Sequence, residues 1–82
     1  MGGVIQVSLA MGDNTLTIPT GCIGALIVPD TESAVTKTIK GNAADVGVTM
    51  RADYPFMLSF PDAAVDFIVT AGAAEDVAVH WL

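Results

Sequence analysis

Asp76-Val77-Ala78-Val79-His80-Trp81-Leu82 sets the period for the whole chain. Val77, Val79 and Trp81 fall on one side of an extended backbone and Ala78, His80 and Leu82 on the other, the alternation of a β-strand with one buried face. The same rhythm recurs towards the N-terminus in short runs separated by turn formers at intervals of about ten residues. Val4 to Leu9 sets Ile5, Val7 and Leu9 on one face, and Met11-Gly12-Asp13-Asn14 reads as a turn. Thr15 to Ile18 directs Leu16 and Ile18 inward, and Pro19-Thr20-Gly21 breaks the chain before Ile23 to Val28. That last run is apolar on both faces, so it lies centrally or is covered on its second face by another subunit.

Pro29-Asp30-Thr31-Glu32-Ser33 is the most polar stretch and reads as an exposed loop. Ala34 to Lys40 is rich in β-branched residues, but Lys37 interrupts the face made by Val35 and Ile39, which predicts a strand at an edge or sheet rim. Gly41-Asn42-Ala43-Ala44-Asp45 reads as a turn, with Gly41 and Gly47 permitting positive φ in a hairpin. Val46, Val48 and Met50 alternate next, and after the connection Arg51 to Pro55 come Phe56, Leu58 and Phe60, the most aromatic inward face. Asp62 can cap a helical turn over 63–69, but Val65, Phe67 and Val69 favour a strand from Val65 to Thr70, with Ala71 to Ala74 as a loop. Seven to eight short antiparallel strands give an all-β fold, a compact β-sandwich or small jelly roll forming one domain over 1–82.

Composition narrows the function classes. The 82 residues are 52% hydrophobic and 15% charged, with mean hydropathy +0.62, which excludes a disordered chain. Scaling predicts roughly 4,600 Å² of folded surface against about 12,200 Å² for the extended chain, so much apolar surface stays outside. Lys37, Lys40 and Arg51 face nine acidic residues, a net charge of −6, which argues against a nucleic-acid partner. The lone Cys22 forms no internal disulfide, pointing to a reducing compartment or to a fold that needs no crosslink. The longest uncharged run, Asn14 to Pro29, is too broken by proline and glycine to span a bilayer. Met1-Gly2-Gly3-Val4-Ile5-Gln6 lacks a basic leader and places Gln6 where a myristoylation signal has Ser or Thr. The expectation is a soluble, cytoplasmically made protein with no membrane partner.

No catalytic constellation stands out. His80 is the only histidine, and its nucleophile partner would be Cys22 or a serine, yet Ser8, Ser33 and Ser59 lack a Gly-x-Ser-x-Gly context. Asp62/Asp66 and Glu75/Asp76 are paired carboxylates beside turns, where acids are ordinarily solvated. There is no Cys-x-x-Cys or EF-hand spacing, and loop acids such as Asp30 and Glu32 leave a weak calcium site as the sole metal alternative. Among the aromatics only Tyr54 reads as an exposed ring for a sugar platform. These patterns predict a non-enzyme with no cofactor, no metal and no small-molecule substrate.

The reverse faces of the strands carry more information. Leu26, Val28, Met57, Ile68 and Leu82 lie opposite the inward residues of their strands, and together they are the candidate oligomer or partner interface.

Thr17-Ile18-Pro19-Thr20-Gly21 followed by Gly24-Ala25-Leu26-Ile27-Val28, a Gly41 to Gly47 turn and the Val-Ala-Val-His-Trp-Leu ending resembles small β-rich virion proteins of tailed bacteriophages. The resemblance covers most of the chain and implies a capsid decoration or cement protein. Such a protein is located in the virion after synthesis in the host cytoplasm. It acts without catalysis, as a homo-oligomer with a trimer favoured, on a major capsid protein lattice. The alternative is a small carbohydrate-binding or adhesion module.

Overall fold

Short apolar alternations separated by glycine, proline and aspartate become eight strands. They are β1 (Gly3–Leu9), β2 (Gly12–Thr17), β3 (Gly24–Val28), β4 (Lys37–Lys40), β5 (Val48–Met50), β6 (Phe56–Ser59), β7 (Asp66–Ala71) and β8 (Glu75–Trp81). The structure, a computed structural model, describes residues 3–30, 32–42, 44–62 and 64–82. Met1, Gly2, Thr31, Ala43 and Ala63, which belong to the N-terminal signal reading, the 29–33 loop, the 41–45 turn and the 63–69 segment, lie outside the described residues. No helix occurs among the described residues.

Every strand pairing is antiparallel. The first sheet has the order β1-β8-β3-β6 and the second β2-β7-β4-β5. The pairing is nested, first strand with eighth, second with seventh, third with sixth and fourth with fifth. β3–β8 and β4–β7 contacts then join these pairs into sheets. The expected all-β fold is the observed one. Both sheets contribute to one core: Leu9, Ala25, Ile27, Val77, Val79 and Trp81 from the first, and Ile39, Met50, Phe67, Val69 and Ala71 from the second. Phe67 of β7 packs on Trp81 of β8 edge to face at 6.1 Å and stacks on Phe60 at 5.5 Å, which ties the sheets together where their strands carry the largest rings. The accessible surface, 4887 Å², is close to the scaling expectation.

Lys37 departs most from the sequence reading. It is fully buried at 0% exposure, and β4 runs between β7 and β5, so Lys37 is not on an edge strand; it stands in the end row Gly12–Ala71–Lys37–Met50, a rim of the sheet that is covered rather than exposed. Its ammonium donates to Glu75 Oε2 at 2.5 Å, to the carbonyls of Val35 (2.8 Å) and Ala52 (3.2 Å), and to Ser33 Oγ (3.3 Å). The Ser33 hydroxyl in turn donates to Glu75 Oε1. An ammonium is tolerated in an apolar face only when such a set of acceptors replaces its water, and here the acceptors arrive from two connections, β3–β4 and β5–β6, and from the start of β8. For the same reason the 29–33 loop is only partly exposed, because Ser33 is half-buried in this network and Pro29 is buried.

Several boundaries also move. β2 begins at Gly12, so the turn expected through Asn14 shrinks to Ala10 and Met11. Asn14 causes this: its amide donates to the carbonyls of Ala10 (2.9 Å), Gly12 (3.0 Å) and Val69 (3.1 Å), while its carbonyl accepts from Ala10 N at 2.8 Å. A side chain thereby does the turn-closing that the sequence pattern assigned to four residues. β7 starts at Asp66 and includes Ala71, leaving Val65 exposed and only 72–74 as loop. Ile23 is exposed before β3, and in β5 only Met50 reaches the core. Gly47 has φ +77° in the β4–β5 connection as expected, whereas Gly41 does not take a positive φ.

Candidate interaction surface

Strand alternation gives each sheet one inward and one outward face, and the two outward faces differ in chemistry. On the second sheet the cross-strand rows are Asp13–Thr70–Thr38–Thr49, Thr15–Ile68–Lys40 and Thr17–Asp66. Thr70 Oγ donates to Asp13 Oδ1 at 2.6 Å and Lys40 Nζ lies 3.4 Å from the same oxygen. The Thr70 hydroxyl is the main cause that holds the Asp13 carboxyl below its ordinary range; burial opposes it, and the Lys40 charge and hydrogen bond add to the lowering. This face is a hydroxyl and charge surface suited to water.

The outward face of the first sheet is apolar. Its central row runs Val4–His80–Leu26–Met57, and beside it runs Gln6–Ala78–Val28. Leu82 covers the next position, where its Cδ1 stands 3.8 Å from where a Cβ on Gly24 would be. That Cβ would also meet the Leu58 carbonyl at 2.6 Å, so only glycine lets β3 and β6 approach here. Val4, Met57 and Leu82 are 60%, 64% and 44% exposed. The charged group of this face, Asp76, sits at one corner, where Gln6 Nε2 donates to its Oδ2 at 3.0 Å, while the His80 imidazole lies within the central row.

Four of the five expected interface residues, Leu26, Val28, Met57 and Leu82, therefore share this face. Ile68 does not join them. It belongs to the second sheet, points out between Thr15 and Lys40, and is only 9% exposed. The reading that Ile68 lies opposite Phe67 and Val69 holds, but the chain changes sheet between β6 and β7, so the reverse face of β7 looks the other way. Val4, Ala78 and His80 are the additions. Ala78 and His80 were legible as a reverse face of the last strand, whereas Val4 enters only through its register opposite His80.

The other candidate residues are dispersed. Cys22 packs against the core, while His80 projects outward from β8 between Val4 and Leu26. Glu75 turns inward to Lys37 and Asp76 outward to Gln6, so that pair of carboxylates points to opposite faces. Asp30, Glu32, Asp62 and Asp66 are exposed, and among the described residues no three His, Cys, Asp or Glu side chains gather as a metal site. Tyr54 is 53% exposed, with the Arg51 guanidinium 4.1 Å from its ring centroid, so one ring face is already occupied. Where the sheets part between β5 and β6, a cleft of about 470 Å³ is lined by Val48, Phe56, Leu58, Phe60, Val65 and Phe67. Compared with known protein families, characterised proteins and solved structures, the chain matches none.

Proposed function

We propose that this protein is a self-associating structural protein of a phage particle, a capsid decoration or cement protein that binds the assembled head shell through the outer face of its first sheet. The observation that carries this reading is the contrast between the two outward faces. One presents threonines and charges; the other presents Val4, Leu26, Met57, Val28 and Leu82 around a single imidazole. Covering Met57 alone, which is 64% exposed, recovers about 1–2 kcal/mol of apolar burial, and a contiguous patch multiplies that. The nested strand order supports the finer fold reading, a jelly roll, an architecture found in viral capsid and lectin domains. Fold analogy by itself selects no function, so the surface carries the argument. A protein that binds the assembled lattice and not free capsid subunits stabilises the particle by mass action.

Co-sedimentation with assembled phage heads and with free capsid-protein subunits tests the reading. The expected result is binding to heads that Leu26→Thr weakens by an order of magnitude or more while the fold is retained. Equal binding by Leu26→Thr, or no binding to heads, overturns it. The exposed ring of Tyr54 favours glycan binding as the second reading. Retention on a glycan array that Tyr54→Ala abolishes would select it.

A further inference from the structure

We infer that the first sheet continues from one copy of this chain into the next, with the free edge of β1 pairing with the free edge of β6 of a neighbouring copy. This rests on the self-association proposed above and gives it a geometry. Two sheets of four strands leave four open edges, β1 and β6 in the first and β2 and β5 in the second. Open edges present unpaired N–H and C=O groups and are ordinarily guarded by charge, proline or shortness. The second sheet follows that rule: β2 carries Asp13, and β5 has three residues followed by Arg51. The first sheet departs from it on charge: β6 is short and has prolines just beyond its ends, yet neither edge strand carries a charged residue. The seven residues Gly3-Val4-Ile5-Gln6-Val7-Ser8-Leu9 and the four residues Phe56-Met57-Leu58-Ser59 contain no charge and no proline. In a chain of net charge −6, these two strands can meet without either bringing a carboxylate to the seam.

The backbone of β6 is set for such pairing. Phe60 N donates to the Ile23 carbonyl at 2.9 Å, and the register Leu58–Ala25 and Phe56–Ile27 continues that phase. Antiparallel alternation therefore turns the N–H and C=O groups of Met57 and Ser59 towards the open edge, inside a window bracketed by Pro55 and Pro61. Side chains decide which edges meet. A two-fold pairing of β1 with β1 over the whole strand sets Val4 against Ser8, and β6 with β6 over its window sets Met57 against Ser59, apolar against polar in both. Pairing β1 with β6 joins the two ends of the row Val4–His80–Leu26–Met57, so the apolar face runs unbroken across the seam. The contact is head to tail, and it closes into a ring or runs on as a strip.

Sedimentation velocity on the full chain tests this with two variants. Ser59→Pro removes an edge donor that β3 does not use, and Gln6→Lys places a guard charge on β1. The expected result is that wild type sediments as an assembly, each variant alone as a folded 8.4 kDa monomer, and the equimolar mixture as a heterodimer built from the one intact edge of each. Ser59→Pro that retains the wild-type assembly or dimerises on its own overturns the head-to-tail seam while leaving self-association standing. A monomeric wild type overturns both. Circular dichroism verifies the fold, and if Ser59→Pro is unfolded, Ser59→Lys guards the same edge and is read by the same outcomes.

Discussion

Lys37→Met tests how the buried charge network stabilises this fold. Methionine keeps the length and apolar stem of lysine but removes the donor to Glu75 Oε2, to the Val35 and Ala52 carbonyls and to Ser33 Oγ. Glu75, whose side chain is 7% exposed, is left with the Ser33 hydroxyl as its remaining recorded partner. Breaking one side of a buried pair costs about 3–5 kcal/mol. A domain of this size has roughly 4–12 kcal/mol in total at the usual stability per residue, so the variant loses a large share of it. At about 4–8 °C per kcal/mol the melting temperature falls by at least ~12 °C. Removing both charges in Lys37→Met with Glu75→Leu leaves no orphan ion, so the double variant recovers most of the loss. Urea titration of wild type, both single variants and the double variant gives the coupling. A Lys37→Met cost below about 1 kcal/mol, or a double variant worse than the sum of the singles, would refute the assignment of this network as a clamp that ties two connections to the start of β8.

Gly24→Ala forces a methyl against the Leu58 carbonyl at 2.6 Å, and a loss of about 1–3 kcal/mol in urea unfolding is expected; a neutral result means β3 and β6 yield there. Thr70→Val removes the main cause of the lowered Asp13 pKa, so the Asp13 carboxyl, followed by NMR, titrates at higher pH than in wild type. A lowered carboxyl contributes its stability above the unfolded value and loses it as pH falls through the folded one, so Thr70→Val narrows the pH window over which that contribution is lost.

Local pattern made the strands readable, and long-range pairing made the rest unreadable. Val77, Val79 and Trp81 are inward and buried as their alternation predicts, and the inward set Phe56, Leu58 and Phe60 packs on the core. Lys37 looked like an edge residue because its main counter-charge, Glu75, lies 38 positions away, and no short-range spacing relates them. Asn14 looked like a turn residue because a turn-forming composition does not reveal that its amide bonds the Val69 carbonyl across the sheet. At the interaction surface, alternation identified reverse faces correctly, yet it assigns no strand to a sheet. Alternation alone therefore groups Ile68 with Leu26 and Met57 although it looks out from the opposite layer, and only the strand register places Val4 beside His80.

The weight-average mass of the protein in solution bears most directly on the outer face of the first sheet. Sedimentation equilibrium over a concentration series, comparing wild type with Val4→Thr/Met57→Thr, which changes the two apolar residues that end the row at the β1 and β6 edges, is the decisive measurement. The proposal predicts a wild-type mass that is a multiple of 8.4 kDa and a double variant whose association is weakened towards that single mass with its fold intact. A wild type that remains at 8.4 kDa throughout, or a double variant that associates as strongly as wild type, contradicts it.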